Sequence, residues 1–249
     1  DIDVNGSFAA NNYTVAALKK MSLLGTGNAS INSGNTITVN GTLSTGSSTV
    51  SGAGDFILAS GATLEIGSVS GITSSGASGN VQNTGTRTFN TGANYTYNGT
   101  SSQMTGSGLP STVNNLTIDN TAGVSLSGST TVNGTLTMTN GRLTLGGNSL
   151  TIASDNAIAG GTFGASKMIV ADGGGALCKR FGTISSYTYP IGDASGPSNT
   201  AEYSPVPGVS VSGTASGTPS VCFRVTDAAS SNLPNNLATY ITRYWTGTV

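Results

Sequence analysis

The sequence contains no histidine, and only 8% of its 249 residues are charged. The absence of histidine excludes a Ser-His-Asp triad and most zinc sites, because imidazole is the general base of the former and a common ligand in the latter. Lys and Arg total 9 and Asp and Glu total 10, so no basic patch is available for nucleic-acid binding by counterion release. No apolar run approaches the roughly 18 residues of a spanning helix, and we expect no membrane insertion.

Carboxylates are scarce in the first half of the chain. Between Met21 and Ile118 the charged residues are Asp55, Glu65 and Arg87. Glycoside cleavage needs two carboxylates facing one bond, and the ten-residue spacing of Asp55 and Glu65 does not place them on successive turns of a repeat. The glycine-rich stretches lack both the aspartates of calcium β-rolls and the Lys-Ser/Thr pair of phosphate-binding loops. We therefore expect no enzyme activity, no metal ion and no cofactor.

Cysteine is limited to Cys178 and Cys222, without a CxxC pair. An even cysteine count in a chain poor in charge and rich in Thr and Asn is typical of an oxidising compartment. We predict a disulfide between them, with two buried free thiols as the alternative, and an extracellular location. Because the sequence begins at Asp1 rather than Met, we expect a processed or excised segment of an exported protein.

What the sequence does contain is repetition. The hexapeptide TVNGTL occurs at 38–43 and again at 131–136. Around both copies apolar residues alternate with Thr and Ser, a period of two that predicts strands with one buried face. From residue 116 onward these apolar pairs are Leu116/Ile118, Val124/Leu126, Leu136/Met138, Leu143/Leu145 and Leu150/Ile152. Asn-Gly and Gly-Gly pairs separate them, and we expect Asn-Gly to supply positive φ at the corners.

Equivalent apolar residues recur about every 20 positions. The matching pairs are Ile37 and Phe56, Leu43 and Leu64, Leu116 and Leu136, Val124 and Leu143, and Val132 and Leu150. A meander of hairpins is the alternative, but three short strands in each interval favour a three-sided parallel β-solenoid. Residues 13–24 fit either a first solenoid strand, which we favour, or a capping helix.

The rhythm ends near residues 172–176, DGGGA, where aromatic residues and prolines become frequent. We predict a β-solenoid shaft over residues 1–172 and a β-sandwich-like module over 173–249. Whether the predicted sandwich is complete or lacks strands is left open. Five aromatic residues of this module could stack on a glycan or fill its core, and we favour the core: Tyr187, Tyr189, Tyr203, Tyr244 and Trp245.

The segment VNNLTIDNTAGVSLSGSTTVNGTLTMTNGRLTLGGNSLTI resembles the repeats of large secreted surface proteins of Bacteroidota, the adhesin-like cargo of the type IX secretion system. The later motifs YTYPIGD, YSPV, VCFRVTD and ITRYWT resemble the module that often follows those repeats. This resemblance covers residues 80–249 well and 1–79 more loosely. It implies a non-catalytic role at the cell surface.

Together these features predict an extracellular structural or adhesive protein that forms one unit of a fibre or giant adhesin. We expect its partners to be copies of itself, joined by terminal strand addition, or flanking segments of a longer chain, with surface glycans as a further partner. A carbohydrate-binding module on the solenoid is the alternative. Ice binding is a weaker one, based on Thr pairs such as Thr36/Thr38 and Thr135/Thr137. Eight Asn-X-Ser/Thr sequons leave glycosylation open.

Overall fold

The computed structural model shows an all-β protein. It describes residues 1–25, 27–153, 155, 158–182, 186–194, 200–211, 219–226 and 244–249. These residues contain 29 β-strands and no helix, so none of them forms a helix that could cross a membrane. The predicted fold class, all-β with a parallel β-solenoid, is confirmed.

The strands are short, and most contain two to five residues. The first fifteen are β1 (Ile2–Val4), β2 (Ser7–Ala10), β3 (Tyr13–Val15), β4 (Lys20–Leu23), β5 (Asn28–Ile31), β6 (Thr36–Val39), β7 (Thr42–Ser44), β8 (Val50–Gly52), β9 (Asp55–Leu58), β10 (Thr63–Ile66), β11 (Arg87–Phe89), β12 (Asn94–Tyr97), β13 (Gln103–Met104), β14 (Thr112–Val113) and β15 (Leu116–Asp119). The others are β16 (Val124–Ser125), β17 (Thr130–Val132), β18 (Leu136–Asn140), β19 (Leu143–Thr144), β20 (Leu150–Ile152), β21 (Ile158–Ala159), β22 (Ile169–Val170), β23 (Leu177–Arg180), β24 (Tyr187–Tyr189), β25 (Ile191–Asp193), β26 (Glu202–Tyr203), β27 (Val206–Val209), β28 (Ser220–Thr226) and β29 (Tyr244–Thr248).

Successive turns of the chain visit three sheets in order. An eight-stranded parallel sheet, here called face A, contains β1, β4, β7, β10, β12, β15, β18 and β21 in that order. In the first turns, the strand that follows a face A strand lies in the β2–β5–β8 sheet, and the next strand lies in the sheet that contains β3, β6 and β9. In later turns, the strand that follows a face A strand lies in the sheet that begins β13–β16–β19, and the next strand lies in the sheet that begins β14–β17–β20. This order is that of a three-sided solenoid.

Face A confirms the predicted interval of about 20 residues. Its aligned inward positions are Ile2, Met21, Leu43, Leu64, Tyr95, Leu116, Leu136 and Ile158. Neighbours in this column are 19 to 22 residues apart, except Leu64 and Tyr95, which are 31 apart. One predicted pair was wrong, because Val132 aligns with Ile152 rather than with Leu150. The strand period of two allowed this slip, since Leu150 and Ile152 both point inward.

The alternation of apolar and polar residues builds the core. All ten apolar residues predicted to point inward between 116 and 152 are at most 5% exposed. Each buried Leu, Ile or Val contributes about 1.5–3 kcal/mol by leaving water, and each rests on its neighbours in the turns above and below. Two tyrosines join this core on β12, where Tyr95 Oη donates to the Asn90 carbonyl at 2.8 Å and Tyr97 Oη to the Thr105 carbonyl at 2.7 Å.

The two TVNGTL copies lie where predicted, each joining a strand to the next strand of face A, but the reason for their glycines differs. We expected positive φ at the Asn-Gly corners, and among the five Asn-Gly pairs of the sequence this is correct only at Gly141, with φ of 78°. At Gly41 the limit is space, because a Cβ there would lie 2.2 Å from the Lys19 carbonyl oxygen. At Gly134 a Cβ would lie 2.2 Å from Asn115 Oδ1. Both copies therefore need glycine because the preceding turn passes close by.

The long interval between β10 and β12 holds an insertion, residues 67–86, that packs against the solenoid. Its Ile72 and Val81 are fully buried. Asn80, also fully buried, accepts from the Gly67 and Ser68 amides and donates to the Gly46 and Ser48 carbonyls at 2.7–3.1 Å. This side chain replaces backbone pairing where the regular turns are interrupted.

Residues 13–24 contain two strands, β3 and β4, and no helix, so the preference for a strand over a helix was correct. They are not one first strand, since β1 and β2 precede them. At the other end the parallel order continues through β23 and β25, which pair with β20 and β22. Antiparallel pairs then follow, β23–β28, β28–β29, β25–β26 and β24–β27. These sheets fit the sandwich-like module expected at the C-terminal end.

Candidate functional site

The two acids between Met21 and Ile118 make structural contacts on different sheets. Asp55 lies on β9, and its Oδ1 accepts from the Thr86 amide at 2.7 Å. Glu65 lies on β10 in face A and pairs with Lys20. Among the described residues no group of three or more His, Cys, Asp or Glu side chains could hold a metal ion.

Cys178 and Cys222 form a disulfide, as predicted. They face each other across the antiparallel pair of β23 and β28. The bond therefore joins β23, the last parallel strand of this sheet, to β28, the antiparallel strand of the C-terminal module that pairs with it. It is the arrangement expected for a protein of an oxidising compartment.

The five aromatic candidates for glycan stacking lie in different environments. Tyr187 and Tyr189 are buried, 6% and 0% exposed, and their rings meet edge to face with centroids 4.8 Å apart. The cluster continues to Phe223, 4.9 Å from Tyr189, and burial raises the pKa of both tyrosines. These two rings belong to the core and cannot present a face to a sugar.

The other three candidates remain at or near the surface. Tyr203 and Tyr244 are half-buried, and Trp245 is 48% exposed. Trp245 Nε1 donates to the Ser204 carbonyl at 2.9 Å, which fixes the orientation of the indole. The structure does not bring the five side chains together into one platform.

Outward threonines form columns of limited length. On face A, Thr96, Thr117 and Thr137 align, but Glu65 precedes them and Ala159 follows. Thr36 and Thr38 are followed in the next turn by Asp55 and Ile57. Two of the sequon asparagines form a hydrogen bond between neighbouring turns, in which Asn94 Oδ1 accepts from Asn115 Nδ2 at 2.9 Å.

Lys179 is an unusual core residue. It occupies the inward column of Val113, Val132 and Ile152 and is fully buried. Its Nζ donates to the Ala153 carbonyl at 2.7 Å and lies 5.3 Å from the centre of the Tyr187 ring. Burial lowers the pKa of Lys179, and the Asp155 carboxylate opposes part of that shift.

A polar groove lies along the corner where face A strands lead into the β13–β16–β19–β22 sheet. It consists of two adjoining cavities of about 370 and 500 Å³, which share Thr121 and Ser166. We call it the corner groove. Seven of its lining residues are Ser or Thr, and its other prominent side chains are Arg142, Asn140, Lys167 and Phe163. The sequence pattern did not predict this groove.

One long connection creates this groove. Leu136 and Leu143 are seven residues apart, whereas the equivalent Ile158 and Ile169 are eleven apart. The extra residues fold into a small hairpin, in which Gly164 and Lys167 exchange two backbone hydrogen bonds of 2.9 and 3.0 Å. Arg142 Nε donates to the Ala165 carbonyl at 2.7 Å and so holds the hairpin over the turn before it.

No protein-family model, no curated protein and no solved structure matches the chain. The resemblance of its repeats to surface proteins of Bacteroidota therefore stays a prediction.

Proposed function

We propose that the protein is an extracellular, non-catalytic structural and adhesive surface protein, and that it acts as one unit of a fibre or of a giant adhesin. The disulfide and the scarcity of charge support the extracellular setting. The structural contacts of Asp55 and Glu65 support a non-catalytic role.

The observation that carries the proposal is the open first turn of the solenoid. Among the described residues, β1, β2 and β3 each pair with a strand on one side only, β4, β5 and β6 respectively. All three unpaired edges face the same way along the solenoid axis. Unpaired strand edges are templates for pairing with another chain or another segment.

Apolar side chains at this end also lack a covering layer. Ile2 is the last member of the inward column of face A and is 50% exposed, whereas Met21 in the next turn is 2% exposed. Phe8 and Tyr13 form an edge-to-face pair with centroids 5.2 Å apart and are only partly buried. A further turn stacked on this end would bury these groups as the inner turns are buried. A second copy of the chain, or a neighbouring segment of a longer polypeptide, would supply that turn.

The test is assembly as a function of concentration, by sedimentation velocity and electron microscopy. We expect end-to-end particles whose length increases with concentration. Ile2→Lys places a charge on the open edge and should reduce assembly, because inward charges at an edge oppose strand pairing. Val69→Lys is the matched control, since Val69 is 55% exposed on the inserted segment of the solenoid.

Equal loss of assembly in both variants would contradict the role of the first turn. If the wild-type protein is monomeric at every concentration, assembly from copies of the chain is contradicted. The proposal then requires that the chain is a segment of a longer polypeptide. Crosslinking of the first turn to a neighbouring segment in the native cell-surface protein tests that requirement, and no crosslink there would overturn it.

A further inference from the structure

We propose that the corner groove binds an acidic oligosaccharide, a chain of pyranose rings that carry carboxylates. This inference rests on the adhesive half of the proposed function and does not require assembly, because one chain forms the whole groove. It assigns the ligand to the solenoid rather than to the aromatic residues of the C-terminal module.

The size and direction of the groove fit an extended ligand. Its walls come from four successive connections that leave face A, and these include Ser102, Thr121, Gly141 and the hairpin at 160–168. Both cavities, of about 370 and 500 Å³, have lining residues from the last three of these connections, and the smaller one also includes Ser102. Because successive turns stack along the solenoid axis, the groove that the cavities form together runs along it. Volumes of this order are those of small-molecule sites, and two adjoining cavities suit several linked sugar units.

The charge of the groove favours an anionic ligand. Arg142 and Lys167 line it, and no described residue accepts a hydrogen bond from the Nη atoms of Arg142. Its Nε bond to the hairpin orients the guanidinium, which can then offer its two Nη groups to a carboxylate in a bidentate pair. The nearby acid is Asp119, whose Oδ1 already accepts from Asn140 Nδ2 at 2.7 Å.

The remaining lining favours a sugar over a nucleic acid or a peptide. Hydroxyl groups of the Ser and Thr residues can both donate to and accept from sugar hydroxyls. The Phe163 ring lines the second cavity and offers the apolar surface on which a pyranose ring packs. Lys167 Nζ, which donates to the Gly160 carbonyl, lies 5.8 Å from the centre of that ring and places positive charge beside it. Two cations are too few for the phosphate contacts that hold a nucleic acid.

The experiment is calorimetric titration of the full chain with tetragalacturonate and with sialyllactose. Neutral maltotetraose and lactose are the matched neutral probes, and a tetraglutamate peptide is the probe for an acidic peptide. We expect at least one acidic sugar to bind and its neutral counterpart to bind roughly tenfold more weakly or not at all, since a hydrogen bond to a charged group is worth about 1.5–3 kcal/mol. Amide NMR shifts of the wild-type protein should change at Gly141 and Gly164.

Variants separate the groove from the rest of the surface. Arg142→Gln should weaken binding by about tenfold or more. Phe163→Leu should weaken it less, because it keeps apolar packing but loses the ring. Lys19→Gln removes a positive charge at an exposed turn far from the groove and should leave binding unchanged.

Four results would overturn the proposal. These are binding of neither acidic sugar, equal binding of the neutral sugar or of tetraglutamate, equal effects of Arg142→Gln and Lys19→Gln, and NMR shifts away from the groove. The assembly test is independent, because Ile2→Lys should leave sugar binding intact and Arg142→Gln should leave assembly intact. Failure of one property is thus distinguishable from failure of the other.

Discussion

Lys20 and Glu65 form an ion pair across two turns of face A, with 2.8 Å between Lys20 Nζ and Glu65 Oε2, although 45 residues separate them in the sequence. Lys20 lies on β4 and Glu65 on β10, and β7 lies between these strands. The side chains therefore bridge over the intervening strand on the outside of the solenoid. They remain 41% and 21% exposed, so water screens their attraction.

We predict that this pair contributes little to stability. Glu65→Gln should lower the free energy of unfolding by less than about 1 kcal/mol, the usual range for an exposed pair. Urea unfolding of the wild type, Glu65→Gln, Lys20→Gln and the double variant gives the coupling energy as a double-mutant cycle. A coupling of several kcal/mol would contradict the prediction.

The core of the solenoid should be far more sensitive than its outer surface. Leu136 is fully buried in the inward column of face A, and its neighbour Thr137 points outward. Leu136→Ala should cost about 2–5 kcal/mol, because the turns on both sides limit how far the cavity can close. Thr137→Ala should stay within about 0.5 kcal/mol. Similar losses for both variants in urea unfolding would mean that the two side chains do not face opposite ways.

Much of the solenoid could be predicted from sequence because its physical signal is local and repeated. The i, i+2 apolar pairs define which face of each strand is buried, and the interval of about 20 residues defines the turn. The insertion at 67–86 could not be predicted in the same way, since Asn80 accepts two hydrogen bonds from the start of the insertion and donates two to the distant carbonyls of Gly46 and Ser48. Nothing in the sequence around Asn80 marks that role.

The corner groove was missed for a different reason. Its residues come from four connections that are about 20 positions apart, and none of these connections carries a recognisable motif. One signal was available, because Arg142 and Lys167 stand in a stretch that is otherwise almost free of charge, with the aromatic Phe163 beside Lys167. Only the stacking of the turns shows that these side chains share one groove.

The glycines of the repeated hexapeptide give a sharp test of the close approach between turns. A Cβ on Gly41 would lie 2.2 and 2.3 Å from the carbonyl oxygens of Lys19 and Ala16, both of which are backbone atoms. Gly41→Ala should therefore be destabilising by a few kcal/mol, since the backbone of the preceding turn must move. Gly147 is the matched control, because a Cβ there meets no atom within 4 Å and its φ is not positive. Gly147→Ala should be neutral or slightly stabilising in thermal unfolding, and equal losses would contradict the explanation.

The disulfide should stabilise the C-terminal strands measurably. It closes a loop of 44 residues, for which the chain-entropy relation gives roughly 4 kcal/mol as an upper figure. The double variant Cys178→Ser/Cys222→Ser should therefore lose about 2–4 kcal/mol. Hydrogen exchange should increase first in β28, which the bond fastens to β23. Intact-mass analysis that found two alkylated thiols without reductant would contradict the bond itself.

The buried Lys179 should make stability depend on alkaline pH in a defined direction. Burial lowers its pKa from the ordinary value of 10.5, so the folded protein loses this proton before the unfolded chain does. Below the folded-state pKa both states hold the proton, and the cost of burying the charge is fully present. Between the two pKa values the unfolded state holds more protons, so the free energy of unfolding rises with pH.

Lys179→Met keeps much of the side-chain volume and removes the titrating group. Relative to wild type, its stability should therefore be most favourable near pH 7, and this advantage should shrink as the pH approaches 10 because the wild type alone gains. Urea unfolding of both proteins at pH 7, 8, 9 and 10 measures the difference directly, and other titrating groups cancel in it. Lys19→Met is the control for the loss of a lysine, since Lys19 is exposed. A pH-independent difference for Lys179→Met would mean that Lys179 titrates alike in the folded and unfolded states, and that the Asp155 carboxylate and the Ala153 carbonyl offset its burial completely.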